Sequence, residues 1–506
     1  MMGSLFQGYI PDPSVDNHDL IPDFLCGPSR NGTHCPPLRS CDLDQMLTAD
    51  ATVNQTCGLA GCFVCLHKDL VPPAMGDWLL ISLLAACGIL AGAAGIGGGG
   101  LNVPILMLVG GFVVEEAVPL SHVAVFGNAI AQNLVNVQKA HPHDSSRPLI
   151  DMNLPLLLLP SLIGGNVAGV MVGPSLPPTG VIILACILLL FVTIKTFLKA
   201  CRSYRQECAD AAAAKLHNSE VYNPGRDEPL LPGRNDSCSA PSDCLDPPEA
   251  APAPISLPTT AAEPVVRGTA RARRLPPPAT RKLLALVVLW ISLAGVFVAS
   301  TLTSQVRSGE GRGTCSLTKV CFLLAQLIVV VAAVGVAATW IQREQRRRDQ
   351  ERLPITPGDL RWTTRRAFSL PCAGALVGVL AGLLGLGGGE LIAPLLLGIG
   401  MLPQVSAATS ACMVLFTSSS DLLHYFATGV LSSSWLASGY VTSTLLTGFA
   451  SALLGRLLAF RLVRLLSHPS LIAFVLATLL AVACMLLGVQ AAREDANFSF
   501  APLRCK

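Results

Sequence analysis

Residues Gly95–Pro104 read GIGGGGLNVP. Five of these ten residues are glycine: Gly95, Gly97, Gly98, Gly99 and Gly100. The stretch sits inside a run otherwise apolar enough to cross a bilayer. Each glycine inside a helix costs roughly 1 kcal/mol relative to alanine. Consecutive glycines also point in different directions, so they free the backbone more than they build one packing face. A phosphate-cradling loop does not fit the context. No strand precedes the glycines, no Gly-Lys-Ser/Thr follows, and the flanks are membrane-apolar. The stretch reads as a helix interrupted within the membrane, with a close-packing seam as the other reading.

The rest of the chain supports a membrane setting. Of 506 residues, 51% are hydrophobic and only 13% charged, and the mean hydropathy is +0.56. Ordinary soluble domains are about 25% charged. The net charge of +3 is too small to imply a nucleic-acid partner. Apolar segments at 78–97, 117–138, 150–173, 180–200, 283–302, 319–341, 370–387, 404–428, 434–458 and 470–488 read as helices. Two more, 101–114 and 390–402, are short. At 1.5 Å per residue they reach about 20 Å, less than a ~30 Å hydrocarbon core. They read as half-helices of interrupted hairpins.

Charge distribution sets the expected orientation. Segment 342–368 carries eight arginines against four acids and is placed in the cytoplasm. Lys195, Lys199, Arg202 and Arg205 put the end of the 180–200 span on the same side, as do Arg461 and Arg464 before the last span. The N-terminal tail and the C-terminus then lie outside. Sequons at Asn31, Asn54 and Asn497 are glycosylation candidates on that side. The tail holds Cys26, Cys35, Cys41, Cys57, Cys62 and Cys65, enough for up to three disulfides in an oxidising compartment. A zinc site from Cys57, Cys62 and Cys65 is the rival reading.

The expected organisation follows. Residues 1–76 form a Cys-rich extracytoplasmic tail, 77–200 a first repeat, and 201–282 a disordered cytoplasmic linker with thirteen prolines. An extra helix pair spans 283–341, a basic cytoplasmic loop 342–369, a second repeat 370–488, and an extracytoplasmic tail 489–506.

The two glycine-rich segments are copies. GILAGAAGIGGGGLNVPILML begins at Gly88 and GVLAGLLGLGGGELIAPLLLG at Gly378, and eleven of their twenty-one positions match. The matches include Gly97–Gly99 with Gly387–Gly389, and Pro104 with Pro394. By the charge reading the first copy starts outside and the second inside. Duplicated halves of opposite topology with interrupted helices are a pattern of secondary transporters. The expected fold is an all-α polytopic membrane protein. It has two inverted repeats, each an interrupted helical hairpin plus three transmembrane helices, with an extra helix pair between them.

The doubled GxGGGxLxxP motif, each copy followed by a polar-dotted helix, resembles the TauE/SafE sulfite-exporter family. The likeness covers most of 78–200 and 370–488. It implies an integral membrane transporter, some members of the family exporting sulfite or related sulfur-containing anions. The Cys-rich tail, the long linker and the extra helix pair resemble the longer eukaryotic members.

An anion needs donors. Unwound N–H groups and half-helix N-termini supply them without a full charge, which nominates Gly97, Gly98, Gly99, Gly387, Gly388 and Gly389. Asn102 adds an amide in the first copy. Ser121, Asn128 and Gln132 follow at spacings of seven and four on one helical face, and Thr409 and Ser410 occupy the corresponding helix of the second half. Ionisable groups inside a membrane are functional candidates. Glu390, which replaces the fourth glycine, His122 and Asp421 are candidates for proton coupling. Asp421 and His424, three apart on one face, read as a structural pair, with a gate as the other reading.

The leading function is a secondary transporter moving a small anion, sulfite or an organosulfur anion, across a plasma or internal membrane of a eukaryotic cell by alternating access. Its partners are that anion and the lipid bilayer, and no cofactor or metal is implied. A receptor or adaptor using the outer tail and inner linker is the alternative, but it leaves the duplicated motif unexplained. No paired-Asp, HExxH-like or Ser/His constellation within the spans points to an enzyme.

Overall fold

A computed structural model describes residues 25–26, 39–47, 62–68, 70–112, 114–172, 178–222, 277–307, 317–351, 360–384, 388–427, 431, 439–466 and 470–493. The sequons at Asn31, Asn54 and Asn497, together with Cys35, Cys57 and Gly387, lie outside these residues.

Twelve helices are formed among the described residues. The first half contains α1 (Met75–Ala94), α2 (Gly99–Leu108), α3 (Val114–Asn136), α4 (Asn153–Val172) and α5 (Pro178–Tyr222). Next come α6 (Pro277–Arg307) and α7 (Leu317–Gln350). The second half contains α8 (Thr364–Leu384), α9 (Gly389–Gly398), α10 (Pro403–Ala427), α11 (Tyr440–Leu466) and α12 (Leu471–Arg493).

Two expectations change. The chain is mostly helical but not wholly so. Its N-terminal region pairs β1 (Leu25–Cys26), β2 (Arg39–Leu47) and β3 (Cys62–His67) in the order β1-β3-β2, all antiparallel. A second ribbon, β4 (Ala140–His141) with β5 (Asp144–Pro148), joins α3 to α4. The register sets Cys41 opposite Cys65, Cys62 opposite Leu47 and Cys26 opposite Phe63. In addition, α5 runs on to Tyr222, so the first part of the expected linker is helical.

Four helical stretches among the described residues are long and apolar enough to cross a membrane: Met75–Ala94, Leu324–Gln350, Thr364–Leu383 and Tyr440–Leu462. Shorter apolar helices are Gly99–Leu108, Asn153–Gly169 and Leu471–Leu486. Exposed apolar residues fall in helical stripes: Ile187, Leu190 and Ile194 on α5, Leu284, Val288 and Ile291 on α6, and Leu324, Leu327 and Val331 on α7. Such stripes would be unfavourable against water and suit a hydrocarbon solvent.

Packing partners exchange between the halves. Helix α1 lies on α11, while α8 lies on α4. The two third helices, α3 and α10, meet each other, as do the two last, α5 and α12. Small residues permit the close approach. A Cβ on Gly455 of α11 would collide with the Ile89 carbonyl of α1, and one on Gly378 of α8 with the Leu162 carbonyl of α4. Gly88 of α1 is equally confined, since a Cβ there would collide with Ser451 Oγ of α11.

Helix α6 docks on α10 through Trp290, whose Nε1–H reaches the Phe416 carbonyl (3.0 Å) and Ser420 Oγ (2.9 Å). Lys282 ties α6 to Asn153 at the start of α4 (2.8 Å) and to Glu344 of α7.

Candidate functional site

Helix α1 ends where the glycines begin. Gly95 caps it in the left-handed conformation (φ 81°), with its N–H on the Ala91 carbonyl at 3.0 Å. A side chain at Gly95 would be strained at that φ and would collide with the Ala407 backbone of α10. Gly98, again left-handed (φ 79°), is the N-cap of α2. The chain is thus broken between Ala94 and Gly99. The second break differs in detail. Gly388 caps α9 in right-handed helical geometry (φ −49°) and receives the Ile392 N–H on its carbonyl at 3.3 Å. Gly389 and Glu390 form the first turn of α9.

A broken helix leaves polar backbone groups without helical partners, and burial makes them costly. The polar stripe of α3 meets the carbonyls. Gln132 Nε2 donates to Ile96 O (3.1 Å), Asn128 Nδ2 to Gly97 O (3.3 Å) and Ser121 Oγ to Gly99 O (3.3 Å). Gln132 also donates to Asn128 Oδ1. Ser410 of α10 reaches across to Gly95 O at 2.7 Å. Its neighbour Thr409 accepts the Asp151 N–H at 3.1 Å. All five side chains are buried. Among the described residues, the N–H groups of Gly97 and Gly98 have no acceptor. The break therefore presents donors while its carbonyls are held back. Asn102 is buried on α2, one turn beyond the N-cap.

Ser121, Asn128 and Gln132 of the first half and Ser410 of α10 are thus brought together around one break, while Thr409 turns to the Asp151 amide. Gly388 stands apart, near Leu162 and Ala381. Asp421 pairs across the halves with His122 of α3, with Nε2 to Oδ2 at 3.2 Å. Asn166 of α4 donates to the other carboxylate oxygen at 2.8 Å. The carboxylate is reached from two different helices of the other half, which local spacing within α10 does not reveal.

Arg456 is a group that the sequence reading did not nominate. It lies inside the apolar run of α11 and is 0% exposed. Its Nε donates to Asn136 Oδ1 at 2.7 Å, its Nη1 to the Ala93 carbonyl at 3.4 Å, and its guanidinium lies 4.7 Å from the Phe460 ring centroid. The signal was available: a lone arginine five residues ahead of the basic flank that starts at Arg461.

At the first helix's other end, the N-terminal region locks onto the bundle. His67 stacks on Phe112 (centroids 3.9 Å apart) and donates from Nε2 to the Gly110 carbonyl at 2.7 Å. Asp77 accepts from Lys68, from the Ala74 N–H (2.7 Å) and from Tyr440 Oη–H (3.1 Å).

A membrane-embedded helical bundle, with its polar residues gathered inside around a broken helix, is the architecture of a polytopic transport protein. The chain belongs to the family described as sulfite exporter TauE/SafE, whose characteristic sequence it matches over residues 68–225 and 245–487. It is 28% identical to sulfite exporter TauE/SafE family protein 3 of Arabidopsis thaliana over 430 residues, 83% of this chain and 80% of that one. Family protein 5 of the same plant is 28% identical over 413 residues, 81% of each chain. No solved structure matches. The protein is accordingly a multi-pass integral membrane protein of a transporter family with eukaryotic relatives.

Proposed function

We propose that this protein is a secondary transporter that moves a small sulfur oxyanion of the sulfite type by alternating access. The observation that carries the reading is the break at Gly95–Gly98. It faces the opposite half through Ser410, with its carbonyls occupied and two amides open. A site that offers donors without a full charge can bind an anion and still release it.

In this reading the two halves are inverted copies, and the exchanged packing of α1 on α11 and α8 on α4 supports it. The substrate sits between the break and α10. Rocking of one half against the other exposes the site alternately to the two sides. The His122–Asp421 pair bridges α3 and α10 and is placed to couple protonation to that motion, with Glu390 at the second break as the competing coupling residue. Asn102 and Gly387–Gly389 complete the candidate substrate contacts. The outer tail carries the disulfides and glycans, and the linker and basic loop lie in the cytoplasm.

The test is flux in proteoliposomes containing the full chain, with sulfite, sulfate and chloride compared under an imposed proton gradient. Sulfite flux above that of protein-free vesicles, stimulated by the gradient, is expected. Flux of none of the three anions overturns the reading.

A further inference from the structure

The buried arginine of α11 poses a problem of charge. Moving an ion from water into a low-dielectric interior is costly unless a counter-charge or a full set of hydrogen bonds offsets it. Arg456 is 0% exposed, and among the described residues no carboxylate pairs with it. Two of its nitrogens have neutral acceptors, Asn136 Oδ1 and Ala93 O. The third, Nη2, has no acceptor at all.

Its neighbour repeats the pattern. Asn136 is also 0% exposed, spends its carbonyl oxygen on Arg456 and leaves Nδ2 without a partner. Two adjacent buried groups thus hold unused donors next to an uncompensated positive charge. A buried arrangement of this kind lacks one component: an anion with acceptor oxygens. One turn back along the same face of α3, Gln132 Oε1 is a buried acceptor with no donor. A singly protonated oxyanion would give its oxygens to the guanidinium and carboxamide and its O–H to Gln132.

The location ties this set to the break. The Ala93 carbonyl that Arg456 touches is two residues before the Gly95 cap, and Gln132 holds the Ile96 carbonyl just beyond it. On the other side, Phe460 carries Arg456 on its ring at 4.7 Å and half-buried Lys139 at 5.2 Å. A line of positive and donor groups therefore runs from Lys139, past the end of α3, to the broken helix.

We propose that Arg456 and Asn136, with Gln132 beside them, form an oxyanion-binding station between α3 and α11. It receives the transported anion between the end of α3 and the helix break. The ligand class is a small oxyanion in its singly protonated form, such as hydrogen sulfite. The guanidinium gives the station its charge selectivity, while the break supplies only dipoles. Both donors are sealed in the present arrangement, so the station is loaded when α3 and α11 part from their neighbours. This inference rests on the transporter reading, and its test keeps the two separable.

The experiment uses the detergent-purified full chain, read by its thermal unfolding midpoint across a sulfite titration, with sulfate and phosphate as further probes. Wild-type protein is expected to be stabilised saturably. Arg456→Gln should abolish the effect. Arg456→Lys keeps the charge but loses the planar fork, and should weaken half-saturation about tenfold or more. Removing the buried arginine could prevent folding, so Asn136→Asp is the decisive variant. It places a carboxylate of nearly identical shape against Arg456. It should raise the midpoint without anion, because the charge is now compensated, and should eliminate the anion-dependent rise. Stabilisation of wild type by sulfate or phosphate alone, lost in Asn136→Asp, upholds the station and removes sulfite as the substrate. A folded Asn136→Asp or Arg456→Gln protein that binds sulfite as wild type does overturns the station. Wild-type sulfite flux that persists in those variants leaves the transporter reading standing. Failure of every oxyanion to stabilise wild type also overturns the station.

Discussion

His122 of α3 and Asp421 of α10 form an ion pair between the two halves, with Nε2 and Oδ2 3.2 Å apart. It ties the third helix of one half to the third helix of the other. Both side chains are largely removed from solvent, and Asn166 holds the second oxygen of the carboxylate. A pair that must break or protonate when two packed helices separate links proton binding to motion. Asp421→Asn should therefore reduce proton-driven sulfite flux to near background while anion exchange at equal pH on both sides persists. Glu390→Gln should leave the pH dependence intact. The reverse outcome in paired proteoliposome assays would assign coupling to Glu390.

The same pair makes a stability prediction. Removing one partner of a buried ion pair strands the other and costs about 3–5 kcal/mol. His122→Gln should unfold at lower temperature than wild type. The double variant His122→Gln/Asp421→Asn should recover part of that loss. An additive double variant would show that the two side chains do not interact in the membrane.

The two copies of the glycine motif should respond unequally to the same substitution. Gly95 has a φ of 81°, and a Cβ there would meet the Ala407 Cα at 2.5 Å. Left-handed backbone alone costs an L residue about 1–2 kcal/mol, so Gly95→Ala should be strongly destabilising. Gly98→Ala shares the φ penalty but meets only the Ala91 Cβ at 3.0 Å. Gly388 is right-handed, and the nearest atom to its Cβ is 3.7 Å away. Gly388→Ala should change stability by less than about 0.5 kcal/mol. Thermal unfolding of the three variants tests the order, and flux in Gly98→Ala and Gly388→Ala then reports each break's part in transport.

Gln132 and Asn128 satisfy two carbonyls of the broken helix, Ile96 O and Gly97 O. Gln132→Leu should strand Ile96 O, and Asn128→Leu should strand Gly97 O, at about 1–3 kcal/mol each. The two amides also bond each other, so the double variant should cost less than the sum of the singles. A double-mutant cycle on unfolding midpoints measures the coupling.

Much of this arrangement was legible in the sequence because it is local or repeated. The doubled glycine run marks the breaks, and spacings of seven and four place Ser121, Asn128 and Gln132 on one face. What was not legible is long-range. Asp421 is also reached by His122 from the other half of the chain, a contact that no spacing within its own helix announces. Arg456 escaped notice because its apolar neighbours merge with the basic flank beginning at Arg461. Its partner Asn136 is 320 residues away, and no periodicity connects them. The strand Cys62–His67 alternates only weakly, and cysteine spacing drew attention to covalent pairing instead of backbone pairing. The helix beyond Lys199 was hidden by its polar composition, since polarity ends a membrane span without ending a helix.

The attachment of the N-terminal region gives a last prediction. Asp77 gathers the Lys68 ammonium, the Ala74 amide and the Tyr440 hydroxyl, while His67 stacks on Phe112 next to the Gly110 carbonyl. These contacts fix His67, Lys68 and Asp77 onto the α2–α3 turn and the start of α11. Asp77→Asn keeps the shape but removes the charge that draws Lys68. Hydrogen bonds to a charged group contribute about 1.5–3 kcal/mol, so the local attachment should weaken by that order without unfolding the bundle. The expected readout is faster proteolytic cleavage within the exposed segment 71–75, with an unchanged fragment pattern elsewhere. Tyr440→Phe removes one of the three donors and should give a smaller increase. His67→Ala should act like Asp77→Asn, since it releases the neighbouring anchor on the same segment. Cleavage at wild-type rates in both Asp77→Asn and His67→Ala would mean that the segment is held by its strand pairing instead of by these side chains.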